Sequence, residues 1–179
     1  MNIADDKLIK GSLRGDEKMQ RALYEKYKVQ MFRICLRYAI DRSEAEDILQ
    51  DGFIKIYTDL HQYSFKGPLG GWMRRVMVNA ALQHIRKNKR RLQTAEIKEA
   101  IHKYTQDHTV YDNLNAQELT NMIQKLPEGY RVVFNLYVVE GYSHKEIAQM
   151  LKISESTSKT QLFKAKKALR KMLEFFIET

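Results

Sequence analysis

Apolar residues in this chain recur three and four positions apart along nearly its whole length. Leu23, Tyr27, Met31, Ile34, Cys35 and Tyr38 fall on one face of a helix, and Ala45, Leu49, Phe53, Ile56, Tyr57 and Leu60 on one face of the next. Strand-like alternation is rare, and only two prolines and eight glycines interrupt 179 residues. The pattern predicts an all-α fold, and a hydrophobic content of 44% supplies a packed core.

Helix ends are signposted along the first half. Helical spacing starts at Asp5, and Gly11 and Gly15 are expected to break it into two helices before Ala39. Ser43 with Glu46 reads as a capping box opening the run SEAEDILQDGFIKIYTDL. Placed at 100° per residue, this run shows Asp47, Gln50, Asp51, Lys55 and Thr58 opposite its core face, with Ile48 and Ile54 among them and exposed. An acidic face bearing isoleucines suits a basic, partly apolar protein partner. An ordinary solvated face, its acids favouring the helix N-terminus, is the simpler reading of the residues alone.

The next segment changes sign. A loop, HQYSFKGPLGG, holds Tyr63 and Phe65, with Gly67, Pro68, Gly70 and Gly71 as breakers. In the following helix Met73, Met77, Val78, Ala80, Ala81, Leu82, His84 and Ile85 form a broad apolar arc, and Arg74 within it is expected to snorkel. Trp72, Arg75, Val76, Asn79, Gln83, Arg86, Lys87 and Arg90 share another face, and no acidic residue occurs between Asp59 and Glu96. Duplex phosphates need only lysine and arginine. Aromatics beside a basic groove suit unstacked bases, and amides read base edges. The face fits single-stranded or melted nucleic acid; a solvated basic face with a half-buried Trp remains open.

Charge divides the chain. Residues 1–92 carry 19 Lys/Arg against 11 Asp/Glu, residues 93–112 carry two against four, and residues 113–179 ten against seven. The expected organisation is a domain over 1–92, a linker over 93–112 and a second domain over 113–179. The net charge of +9 favours a polyanionic partner.

The second domain reads as four helices. The first spans about 114–125 and stops at Pro127, and the second, YRVVFNLYVVEG, ends at Gly141. Ser143 and Glu146 form a capping box for a short helix to Leu151. A turn at Lys152–Ile153 leads to Ser154, which caps a long helix from Glu155. Two helices joined this tightly, with small Ala148 at the crossing, form a helix-turn-helix pattern. Ser158, Leu162, Ala165, Leu169, Met172, Leu173 and Phe176 are its expected core side. Ser156, Thr157, Lys159, Thr160, Phe163, Lys164, Lys167 and Lys171 form the side a major groove would meet.

These runs together resemble the extracytoplasmic-function (ECF) sigma factors, small two-domain promoter-recognition subunits of bacterial RNA polymerase. The resemblance rests on EAEDILQDGFIKIY, GWMRRVMVNAALQHIRKNKRR and LPEGYRVVFNLYVVEGYSHKEIAQMLKISESTSKTQLFKAKKALRKML, in that order. It implies that Asp47, Gln50, Asp51 and Ile54 dock on core RNA polymerase, which reverses the simpler reading of that face. It implies that Tyr63, Phe65, Trp72, Arg75, Asn79, Gln83, Arg86, Lys87 and Arg90 bind the melted −10 element, with Asn79 at a flipped base. It implies that Ser156, Thr157, Lys159, Thr160, Phe163, Lys164 and Lys167 bind the duplex −35 element. The two elements lie roughly 50–55 Å apart at ~35 Å per turn, and about 20 linker residues reach ~65 Å extended. An anti-sigma factor is a possible further partner. The chain departs from the family's pattern at three places: Lys152 where the turn usually has Gly, expected to strain it; Ser158 where Val is usual, expected to loosen the packing of the recognition helix; and Gly70 with Gly71, expected to loosen the −10 loop.

Other classes fit less of the chain. A plain DNA-binding regulator, with a sensor or dimerisation domain first, leaves the acidic face and the Trp72–Asn79 face unexplained. An enzyme needs a metal site or an acid–base pair, and His61, His84, His102, His108 and His144 are scattered. No enzymatic activity, cofactor or metal is expected. The single cysteine, Cys35, reads as a small core residue and indicates a reducing compartment. No signal-peptide or membrane-spanning pattern occurs, so direct membrane insertion is not expected and the location is expected to be cytoplasmic.

Overall fold

The computed structural model describes residues 4–94 and 114–177, with side chains over 4–88 and 117–174. Among these residues every regular element is helical. The chain divides into two units, 1–106 and 107–179. The expected linker lies outside the described residues except for Gln93 and Thr94, which continue a helix.

The first unit contains α1 (Asp5–Leu13), α2 (Glu17–Tyr38), α3 (Arg42–Asp59), a 3₁₀ turn (Leu60–Gln62) and α4 (Leu69–Thr94). The break between α1 and α2 falls at Gly15, which has φ of 79°. Gly11 lies within α1, contrary to expectation, and serves a different need. A Cβ there would sit 2.2 Å from Met19 Cγ, so its lack of a side chain lets α1 fold back on α2. Asp16 caps α2 by accepting from the N–H groups of Lys18 and Met19. Asp5 ties α1 down by accepting from Lys26 Nζ and Tyr27 OH, each at 2.8 Å. Burial opposes the Asp5 carboxylate, but these two bonds and the Lys26 charge outweigh it and hold its pKa below the usual value.

The cap of α3 is Asp41, two residues before the expected Ser43. Its carboxylate accepts from Glu44 N–H at 2.8 Å, and Glu44 accepts in turn from Ile40 N–H at 2.7 Å. Asp and Ser cap about equally well, and the earlier residue starts the helix. Glu46 pairs with Arg42 instead, at 2.9 Å. Helix α3 packs against both α2 and α4. Its buried arc is therefore wider than one stripe, and Ile48, expected exposed, is fully buried. It lies one turn before Gly52, where a Cβ would meet Met77 of α4 at 2.3 Å. Gly70 and Gly71 are also corrected: they belong to the first turn of α4, where Gly71 and Trp72 donate to the Pro68 carbonyl. A Cβ at Gly70 would lie 3.2 Å from the Tyr27 ring, so this residue admits the helix to the core.

The second unit contains α5 (Leu114–Gln124), α6 (Glu128–Phe134), a π-helical turn (Asn135–Val139), α7 (His144–Leu151) and α8 (Glu155–Ile177). Met122, Ile123, Leu126, Ala165 and Leu169 form its core. Buried Arg131 donates to the carbonyls of Gln124 and Leu126, capping the end of α5 where the helix dipole favours a cation. Leu173, expected in the core, is 42% exposed. At 23 residues α8 is at least twice as long as α5, α6 or α7, and it outruns their cover. Phe176 lies outside the described side chains.

Candidate nucleic-acid and partner interfaces

Asp47, Gln50 and Asp51 are exposed along α3, and Ile54 is 60% exposed. Lys55, on the same side, has its charge matched by Asp59 at 3.1 Å, which leaves the face acidic. Asp51 adjoins α4: its carboxylate lies 3.9 Å from His84 Nδ1. His84 also bonds Asn88 at 3.0 Å, and Asn88 donates to Glu44 at 3.2 Å. This half-buried network joins α4 to the start of α3. Glu44 and Asn88 are 44 positions apart, and spacing along the chain carries no trace of their bond.

The loop before α4 carries an aromatic cluster. Tyr63 lies 4.9 Å from Phe65 and 5.8 Å from Trp72, ring centre to ring centre. Tyr63 OH donates to the Gly67 carbonyl and closes the loop. Phe65 holds the left-handed conformation, at φ of 57°, and is 56% exposed. A bulky residue there is strained, and such strain gathers at ligand-contacting segments.

Along α4, Arg75, Asn79, Gln83, Arg86 and Lys87 are exposed, while Trp72, Val76 and Arg74 are half-buried. Arg90 lies on the helix, but its side chain is outside the described residues. Between α3 and α4 is a pocket of about 160 Å³, lined by Lys55, Asp59, Val76, Asn79, Ala80, Gln83 and Arg86. Val76, Asn79, Gln83 and Arg86 of this pocket share a face legible in the sequence; Lys55 and Asp59, which line the pocket from the neighbouring helix, do not. The pocket offers amide donors and acceptors, a guanidinium and one apolar wall, a chemistry suited to a planar base edge.

In the second unit the Ser143–Glu146 capping box forms as expected. Lys152 takes the left-handed conformation that the turn requires, at φ of 55°. Ser154 caps α8, accepting from Thr157 N–H at 3.0 Å. The hydroxyls of Ser156 and Thr157 bond to Ser154 Oγ, and Thr160 donates to the Ser156 carbonyl. Lys159 pairs with Glu155 at 2.9 Å, and the hydrogen bond and charge of Lys159 lower the Glu155 pKa. Phe163 is 69% exposed, flanked by exposed Lys164 and Lys167. Ser158 does not loosen the packing as expected; it is fully buried, with its hydroxyl 2.9 Å from His144 Nδ1.

Comparison with known proteins places both units. The family model for Sigma-70 region 2 matches residues 23–91, and that for Sigma-70, region 4 matches residues 116–169. Both units thus belong to one class, the sigma-70 transcription initiation factors. The ECF RNA polymerase sigma factor SigW of Bacillus subtilis is 32% identical, over 97% of this chain and 98% of its own. The RNA polymerase sigma-H factor of Pseudomonas aeruginosa is 26% identical, over 95% and 94%. Within the sigma-70 class the chain belongs to the ECF sigma factors. The sigma factor RpoE of Bartonella quintana, solved with the anti-sigma factor NepR, shares the fold with a TM-score of 0.52 at 17% identity, covering 86% of this chain and 98% of that one.

Proposed function

We infer that this ECF sigma factor binds core RNA polymerase, directs it to promoters by reading −10 and −35 elements, and helps open the DNA. The family is one of non-catalytic initiation factors, and bond-making belongs to the polymerase. The observation that carries the residue assignment is the α3–α4 pair. One helix exposes acids and an isoleucine, and its neighbour exposes amides and arginines beside an aromatic loop.

Asp47, Gln50, Asp51 and Ile54 dock on the polymerase through charge and one apolar contact. Tyr63, Phe65 and Trp72 supply ring faces to unstacked bases. Asn79 and Gln83, at the pocket, read a base edge, and Arg75, Arg86, Lys87 and Arg90 hold backbone phosphates. On α8, Phe163 contacts a thymine methyl or sugar edge, and Lys159, Lys164 and Lys167 hold the −35 duplex with Thr160 beside them. Ser156 and Thr157, through the cap they build, present the helix N-terminus to phosphate. The proposed domain limits are 1–92 and 113–179. No helix of the described residues is long and apolar enough to cross a membrane. The proposed location is the cytoplasm, with the polymerase. An anti-sigma factor, the partner of RpoE in its co-crystal, is proposed here as a regulator.

Promoter-specific run-off transcription with core polymerase tests the function. Failure to form a stable complex with core enzyme sinks it. Asn79→Ala is expected to weaken −10 discrimination and leave polymerase binding intact, and equal loss of both removes its base-reading role.

A further inference from the structure

The helix-turn-helix contains a buried polar joint that the recognition surface itself does not use. Ser158 sits on the first turns of α8, fully buried, immediately before Lys159 and Thr160. A hydroxyl so placed needs a partner, because leaving it unbonded costs more than the bond yields. The partner is Nδ1 of His144, the first residue of α7. The imidazole is held in turn by Tyr137, whose ring stacks on it at 4.5 Å and 23°. Tyr137 belongs to the π-helical turn, where Asn135 Nδ2 donates to the Arg131 carbonyl and Glu140 N–H donates to the Asn135 carbonyl. One side chain therefore contacts the π turn, the start of α7 and the start of α8.

We propose that His144 is a positioning residue for −35 recognition, fixing the rotation and depth of α8 through Ser158. A recognition helix reads bases only when its first turns meet the groove at a set angle. Apolar packing at that point holds helices together but tolerates sliding, whereas a hydrogen bond between two ring- and helix-fixed atoms selects one register. Other charged groups surround the joint without forming it. Glu155 on α8 feels the His144 and Lys145 charges but pairs with Lys159, and Glu146 on α7 bonds Ser143. The proposal rests on the assignment of α8 to the −35 duplex.

The test uses full-length protein with core polymerase, and promoters selected by the wild-type holoenzyme from a library randomised at −35. The readout is binding preference for the selected −35 element over a scrambled one, on a common −10. His144→Phe keeps the stacked ring and removes the nitrogen; preference is expected to fall roughly fivefold or more, the worth of one part-buried hydrogen bond. His144→Asn returns a polar atom near the Nδ1 position and is expected to hold preference within about twofold of wild type. Ser158→Ala should match His144→Phe, and the double variant should lose no more than either single one. Wild-type preference in His144→Phe, an Asn variant as impaired as Phe, or additive losses would each overturn the proposal. If His144→Phe fails to fold, Ser158→Ala decides alone, and wild-type preference there overturns it. A wild-type holoenzyme with no −35 preference at all fails earlier, and removes the −35 assignment as well.

Discussion

Lys152 holds the turn between α7 and α8 at φ of 55° and ψ of 47°, in the left-handed region. A residue with a Cβ is strained there by about 1 kcal/mol. The turn keeps it because Lys152 and Ile153 both donate their N–H groups to the Ala148 carbonyl. Lys152→Gly is expected to stabilise the second unit by about 0.5 kcal/mol, the relief of strain less glycine's larger entropy cost. A raised urea midpoint checks it, and a lowered one contradicts it. Weak acids with raised pKa values, among them buried Cys35 and half-buried Tyr57, give the first unit an alkaline limit. Burial pushes the Cys35 thiol up to about 12, and burial with the nearby Tyr24 pushes Tyr57 up to about 12. Both folded-state values lie above those of the free chain, about 8.5 for Cys and 10 for Tyr. Their contribution is fully present below those values and is lost as pH rises towards 12. Urea stability is expected to be level from pH 7 to 8 and to fall above about 9. Tyr57→Phe with Cys35→Ala should flatten that fall, and an unchanged slope assigns it to other groups.

At the scale of elements, the crossing of α3 and α4 governs both surfaces of the first unit. Gly52 faces Met77 there, and a Cβ would meet Met77 Sδ at 2.3 Å and Cε at 2.6 Å. Met77 is fully buried, so its side chain must shift within the core to admit a larger residue. Gly52→Val is therefore expected to cost about 1–3 kcal/mol. The separation it forces also moves Asp51 relative to His84 and Lys55 relative to Asn79. Loss of polymerase binding and of −10 discrimination together, in protein that retains its helicity by circular dichroism, is the expected result. Helix existence was legible because a buried stripe is a local signal, and α2, α3, α4 and α8 follow it closely. Ile48 was misread because one covering neighbour or two is a property of the packed unit. The π turn and the capping role of Arg131 leave no periodic trace. The exposure of Asp51, Asn79 and Phe163, proposed as site residues, was legible from the face on which they fall. Cross-helix neighbours such as Lys55 and Asn79, which line one pocket, or His144 and Ser158, which bond, were not, because sequence separation hides them.

Over the whole molecule, a net charge of +9 has to serve two partners, core polymerase and promoter DNA. On the proposed assignment the acids of α3 face the polymerase, and the basic residues of α4 and α8 are left to act chiefly on phosphate. Each cation that neutralises a phosphate releases counterions and adds about one to the slope of log affinity against log salt. Arg86 and Lys167 are exposed on such faces, where each can meet a backbone phosphate. Arg86→Ala and Lys167→Ala in holoenzyme are each expected to lower that slope by about one, and to weaken binding to all promoters alike. Asn79→Ala should behave in the opposite way, keeping the salt slope and losing preference among −10 sequences. Promoter affinities at several salt concentrations, with matched and mismatched −10 elements, separate the two behaviours. A changed −10 preference with an intact slope in Arg86→Ala would move Arg86 from the backbone to the bases. It would then extend the reading surface of the α3–α4 pocket to the Arg86 side of its wall.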